Sequence, residues 1–333
     1  MRHLVVAGVL VIVTSILTYV GLSSAGLMPV EASLQSLSID RLWNWEIIVI
    51  CFLFSLIVVP IVYSLIVFRR KKGDTTDAEH MEGNTTLEIT WTIIPLITVV
   101  VFAYLGAYSL GETRRADPNA MVIKVTGQQW SWKFEYPDLG ITTKDLYLPL
   151  NKQVVLRMES NDVLHSFWVP EFRMKQDLVP GRITEYRVTP VLEGNYKVRC
   201  AEMCGTSHAY MESPVVVVQQ SAFDSWVVAR QAEAAEAAKT PEGHGQQLVA
   251  NNGCGACHTI DGSVLIGPTW RGLFGSTVKL SDGTTVVADE AYLTESIKTP
   301  QAKLVAGFPP TMPTIPLTDQ EIADIIAYIK TLK

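Results

Sequence analysis

The sequence predicts a multidomain chain: a two-helix transmembrane hairpin, then an all-β barrel, then a small all-α domain. Three observations carry this. Apolar residues concentrate in the first third, where two long runs alternate with short polar connections. From Met121 onward the pattern changes to short β-rich runs that end at CAEMCGTSHAYM. Beyond Pro241 a CGACH motif and a helical stripe of isoleucines take over. At 333 residues the chain is also too long for one compact domain.

Taken in order, Leu4 to Val20 form an apolar run after Arg2 and His3, followed by GLSSAG with small residues at Ser23 and Ala25. Residues 1–25 read either as a signal peptide cleaved after Ala25 or as an extra transmembrane helix, the run being slightly long for a leader. The hairpin is placed at 41–112. Its helices span about 47–68 and 91–110, each meeting the roughly 20 residues that a hydrocarbon core requires. FRRKK closes the first span with four cations, Arg69 to Lys72, which belong on the cytoplasmic side. Both outer ends of the hairpin, and all that follows Leu110, are then extracytoplasmic. Pro60 and Pro95 lie inside the spans and are expected to kink them. Glu88, at the cytoplasmic start of the second span, stands three residues after Thr85 at the spacing of a capping box.

Residues 118–222 hold the β-rich runs, among them MVIKVTGQQWSWKFEY, QVVLRME, HSFWV, ITEYRV, NYKVRC and PVVVV, separated by turn-like stretches such as LEGN. Strands at this spacing predict an antiparallel Greek-key sandwich or barrel. Trp132, Phe134 and Tyr136 alternate on one strand face with Trp130, as core packing requires. The loop between the last two strands sets Cys200, Cys204, His208 and Met211 within twelve residues. Two thiolates, an imidazole and a thioether are soft or borderline ligands that suit copper far better than calcium or magnesium. Two Cys at CxxxC can bridge two coppers, with a second imidazole supplied from elsewhere; His165 in DVLHSFWVP is the candidate. A disulfide or two inert buried thiols is the alternative reading of Cys200 and Cys204, and a satisfied core histidine that of His165.

Residues 223–240 contain QAEAAEAAK, an Ala/Glu-rich helical stretch expected to act as a semi-rigid spacer. Residues 241–333 follow. CGACH is a CxxCH motif of c-type haem attachment, with Cys254 and Cys257 as thioether sites and His258 as iron ligand; zinc binding or a redox dithiol are the alternatives. Met312 is the only Met after Met211, which makes it the candidate sixth ligand. A His/Met pair raises the haem potential and suits electron transfer over oxygen binding. The last helix starts at Thr318 with Glu321 completing a capping box, and Ile322, Ile325, Ile326 and Ile329 form its buried stripe.

At CAEMCGTSHAYM the chain resembles subunit II of haem-copper cytochrome c oxidases, whose binuclear CuA centre uses a CxExCxxxHxxM loop and an upstream His-Ser pair. Around CGACH it resembles a class I cytochrome c. The resemblance covers about residues 40–333. It implies a cupredoxin Greek-key barrel and an all-α class I cytochrome c domain, with CuA ligands His165, Cys200, the carbonyl of Glu202, Cys204, His208 and Met211. It further implies that Pro268, in LIGPTWRGLFG, supports the proximal His258 of haem c. Trp130, in a GxQWxWxYEY-like run, would be the exposed residue that admits electrons. Glu88, in an LExxWTxxP context, would stand at a proton channel entrance. The carboxylate of Glu202 would ligate magnesium shared with subunit I, and Lys175, Asp177 and Arg182 would lie near that interface. The function implied is that of a cytochrome c oxidase subunit: electrons accepted at haem c pass to CuA and on to subunit I, where oxygen is reduced to water with proton pumping. Subunit III would be a further partner.

Rival readings are the copper-containing subunit of another terminal reductase, such as a nitric oxide reductase, and a membrane-tethered electron-transfer module. The external donor is expected to be a soluble cytochrome c, a small copper protein or a complex III-type assembly. The place expected is the bacterial plasma membrane, multi-pass, with both cofactor domains outside. All five cysteines except Cys51 are absorbed by these motifs rather than by a disulfide framework. A formal net charge of −6 argues against a nucleic-acid partner and is compatible with a basic protein partner.

Overall fold

In the computed structural model, which describes residues 1–77 and 80–333, the chain divides into two compact units, Met1–Arg115 and Ala116–Lys333. The first unit consists of three helices, α1 (Arg2–Ser24), α2 (Leu34–Val67) and α3 (Thr85–Thr113), each long and apolar enough to cross a membrane. Residues 1–25 therefore form a helix, which packs along α2: the His3 ring hydrogen-bonds the Tyr63 hydroxyl at 2.8 Å and lies against Phe68. The hairpin helices run longer than the apolar spans. Ser33 and Ser36 close a reciprocal cap that starts α2 thirteen residues before Ile47. The capping box expected from Thr85 and Glu88 does not form. Asn84 takes the cap position, its side-chain oxygen accepting from the Leu87 N–H at 3.0 Å, and Thr85 is already helical. Glu88 stays in the first turn of α3, where its charge suits the positive end of the helix dipole. Pro60 and Pro95 are inside α2 and α3, and a Ser38–Ser109 hydrogen bond of 3.0 Å joins these two helices.

The second unit begins with ten strands: β1 (Met121–Gln128), β2 (Ser131–Tyr136), β3 (Ile141–Thr143), β4 (Leu146–Pro149), β5 (Val154–Ser160), β6 (His165–Trp168), β7 (Lys175–Leu178), β8 (Thr184–Val188), β9 (Gly194–Cys200) and β10 (Glu212–Val218). They form two five-stranded sheets, in the orders β3-β2-β1-β5-β8 and β4-β10-β9-β6-β7. The sheets are not purely antiparallel as expected: β1 pairs with β5, and β4 with β10, in parallel. Each parallel pair joins strands separated by a crossover, which periodicity within a strand does not register. Side chains from both sheets fill the core, among them Trp132, Phe134, Tyr136, Leu148, Leu156 and Phe167, all fully buried. At about 1.5–3 kcal/mol for each large apolar side chain buried, this core is what holds the metal loop's two flanking strands in place.

Behind the barrel runs α4 (Gln220–Ala237), followed by α5 (Pro241–Asn251), α6 (Glu290–Lys298) and α7 (Asp319–Thr331). α4 is more than a spacer. Phe223 is buried, and Trp226 stacks on Tyr147 with ring centroids 4.5 Å apart while meeting Tyr136 edge-on at 5.3 Å. α5 crosses α7 at Gly245, where an added Cβ would sit 2.0 Å from the Asp324 carbonyl oxygen, so only glycine allows this approach. Thr318 and Glu321 form the expected capping box, and Ile322, Ile325, Ile326 and Ile329 are buried with Trp270, Tyr292 and Leu293 in one cluster. The all-α expectation needs one correction, a two-stranded ribbon of β11 (Thr277–Lys279) and β12 (Thr285–Val287). β-Branched residues flank Asp282-Gly283, whose glycine takes φ +88° in the connecting turn.

Candidate metal centre and haem cleft

The antiparallel pairing of β9 with β10 fixes both ends of the Cys200–Met211 loop, and the Cys200 N–H donates to the Met211 carbonyl at 3.1 Å. β6 pairs with β9, setting Phe167 opposite Cys200 and bringing His165 beside the loop. The ligand atoms of His165, Cys200 and Cys204 all lie within 4.8 Å of one another. Cys200 Sγ is 3.7 Å from Cys204 Sγ and 3.8 Å from His165 Nδ1. Cys204 Sγ is 3.5 Å from His208 Nδ1 and 3.8 Å from Met211 Sδ, and the Glu202 carbonyl lies 3.2 Å from Cys200 Sγ. All six groups singled out in the sequence therefore converge, and both thiols are free. Two facing sulfurs with one imidazole on each side match the donor set that two thiolate-bridged coppers require.

Asp162 was not anticipated. Its Oδ1 lies 2.8 Å from His165 Nε2, which leaves Nδ1 directed at Cys200. Its Oδ2 accepts from the Gln129 N–H at 2.7 Å. Burial works against this carboxylate, but the bonds from His165, Gln129 and Val163 outweigh it and hold its pKa below the usual value. Burial also opposes the Cys200 thiolate, yet the hydrogen bond with His165 and those with the backbone at Glu202 and Ser166 bring its pKa down to about 6. Cys204 moves the other way, to about 12, through burial and the neighbouring Cys200 charge.

Trp130 departs from expectation. It occupies the tight β1–β2 connection and is only 6 % exposed, its Nε1 donating to the Cys204 carbonyl at 3.2 Å. The same carbonyl accepts from Gln129 Nε2 at 2.6 Å. The residues beside Trp130 meet the helical domain: Gln128 and Gln129 line its main cleft, and an added Cβ at Gly253 would fall 2.2 Å from Ser131 Oγ.

That cleft opens to solvent and is lined by Cys254, Cys257, His258, Pro268 and Met312. His258 Nδ1 donates to the Pro268 carbonyl at 2.8 Å, fixing the tautomer whose Nε2 is free to bind iron. Burial lowers the His258 pKa despite that bond, so the ring is held neutral, as ligation requires. Trp270, missed in the sequence, stacks on His258 at 4.9 Å, and Gly267 leaves room for the ring, since a Cβ there would lie 2.7 Å from Cε1. The cleft, its paired cysteines and its His/Met pair fit a covalently bound haem. His244 is engaged elsewhere, 2.6 Å from the buried Asp324 carboxylate. Glu202, Lys175, Asp177 and Arg182 are all exposed.

Three family assignments tile the chain: cytochrome c oxidase subunit II transmembrane domain over residues 21–111, the periplasmic domain of the same subunit over 139–221, and cytochrome c over 243–333. Cytochrome c oxidase subunit 2 of Alkalihalophilus pseudofirmus is 34 % identical over 296 residues, covering 86 % of this chain and 85 % of that protein. The chain belongs to the cytochrome c oxidase subunit II family. Subunit 2 of the Synechocystis enzyme is 32 % identical over 66 % of this chain and 80 % of that protein. The crystal structure of the periplasmic domain of subunit II of the Bradyrhizobium japonicum oxidase is 30 % identical, covering 36 % of this chain and 96 % of that one at a TM-score of 0.33. This subunit II carries its cytochrome c domain fused at the C-terminal side and is part of a haem-copper oxidase, with subunit I as its implied partner. Its family domains imply CuA copper and haem c. It is a membrane protein with extracytoplasmic domains.

Proposed function

We propose that this subunit accepts single electrons from an external donor at haem c, passes them to CuA and delivers them to subunit I for proton-coupled reduction of oxygen to water. The observation that carries this reading is the shared boundary of the two sites. Gln129 lines the haem cleft with Cys254 while its amide donates to the carbonyl of Cys204. When bound, the haem iron and the copper pair supply the reversible one-electron chemistry.

The residues do the rest. Cys254 and Cys257 would anchor the haem covalently and His258 and Met312 would ligate it, while the Pro268 carbonyl orients His258. Cys200, Cys204, His165, His208, Met211 and the Glu202 carbonyl would hold the copper pair. Asp162 holds the His165 ring in place. The exposed Glu202 carboxylate is suited to magnesium at the contact with subunit I, a hard ion that takes carboxylate and water. Glu88, exposed in the first turn of α3, is assigned to the entrance of a proton path, and Trp130 to passage between the cofactors rather than to a surface contact. Subunit III, and a soluble cytochrome, copper protein or complex as donor, complete the proposed setting in the bacterial plasma membrane.

Copper and haem counted on the same purified full-length sample, together with its electron paramagnetic resonance, test the reading. It expects two coppers sharing one unpaired electron beside one covalent low-spin haem per chain. A single copper, or none, in a chain whose loop is intact contradicts it.

A further inference from the structure

The cleft edge beside Cys254 is taken up by the chain's own barrel. Gln128 and Gln129 complete its lining, and Gly253 lies against Ser131 so closely that no side chain fits between them. The linker holds this arrangement: Trp226 is stacked on Tyr147, and Gln231 Nε2 donates to the Leu139 carbonyl at 2.7 Å. An outside protein therefore has to approach His258 from another side.

A second opening exists. A shallow, open depression lined by Val249, Gly255, His258, Thr259, Ile260, Asp261 and Tyr328 touches the histidine residue with no barrel residue in its wall. Beside it runs the loop from Ile260 to Leu265, every residue of which is exposed. Three large apolar side chains project from these six positions: Ile260 is 54 % exposed, Val264 74 % and Leu265 48 %. The loop is braced. Arg271 Nη1 donates to the Asp261 carbonyl at 3.0 Å, and Asp261 Oδ1 accepts from the Ser263 N–H at 2.9 Å. An apolar group displayed on a preformed loop loses little entropy on contact. The surrounding domain is acidic, with nine Asp and Glu against six Lys and Arg between Pro241 and Lys333.

We propose that the Ile260–Leu265 loop is the docking surface for a soluble one-electron carrier protein that presents an apolar patch ringed by basic side chains. The apolar loop supplies the dry centre of the contact, and the acidic surplus attracts and orients the partner. The proposal rests on the reading that the haem is where external electrons are accepted.

The test uses the full-length, haem-loaded chain and a small basic cytochrome c as probe, with binding followed by calorimetry at low salt. In the double variant Val264→Ser and Leu265→Ser the probe should bind at least about tenfold more weakly, with an unchanged haem spectrum. Val287→Ser, at an exposed valine on β12, should leave the affinity as it was. Cross-links from the bound probe should map to residues 260–265. Equal affinity of the double variant and wild type, no binding by wild type, or cross-links confined to the barrel would overturn the proposal. Failure of the underlying reading shows separately: in His258→Ala the probe would still reduce copper while its cross-links to the loop persisted.

Discussion

Asp162 shows how one side chain can orient a proposed copper ligand. It takes the outer nitrogen of His165 at 2.8 Å and the Gln129 N–H at 2.7 Å, so it locks both a ligand and the strand connection above the loop. Asp162→Ala should weaken copper retention by about 10–100-fold, the usual cost of losing such a partner. Competition with a chelator, scored by copper per chain, measures this; retention equal to wild type would mean that the barrel alone orients His165. That these six groups could converge was legible because five of them fall within one twelve-residue motif and His165 carries a recognisable neighbour. Asp162, Gln129 and Trp270 were not, since their roles come from strand pairing and packing and leave no spacing pattern.

At the scale of elements, the Ala/Glu run in the second half of α4 dominates its composition and suggests a spacer. Phe223 and Trp226, three residues apart on one face, are what bind it to the barrel. Trp226→Ala removes a stacked ring, a truncation that costs about 3–5 kcal/mol in a buried setting and less here at the barrel surface. Proteolysis of the 223–240 segment should become markedly faster while the haem spectrum stays unchanged; an unaltered cleavage rate would show that the other contacts suffice. The start of α7 was legible to the residue, because a capping box is a local signal. The Glu321 pKa lies below its ordinary value of 4.5 through the hydrogen bonds that it receives from Thr318. A lowered carboxylate pKa stabilises the fold above the unfolded value and loses that contribution as pH falls through the folded one. Wild type should therefore lose melting temperature between about pH 5 and 3 more steeply than Glu321→Gln. Parallel slopes would remove the cap from the acid response.

For the whole molecule, the order of membrane helices, β-barrel and helical domain was legible from hydropathy, strand spacing and two cofactor motifs. The parallel pairings of β1 with β5 and β4 with β10 were not, nor was the burial of Trp130. Both depend on contacts between distant segments. Trp130 read as an exposed electron acceptor because its motif carries that role in the family, but here its neighbours Gln129 and Ser131 meet the fused domain. We propose that this contact makes haem-to-copper transfer an internal event. The most direct test is rapid photoreduction of the haem in the purified full-length chain, with the copper absorption followed in time. Copper should be reduced as the haem reoxidises, with one first-order rate that does not change with protein concentration or salt. A rate that scales with concentration, or copper that stays oxidised while the haem is reduced, would contradict it.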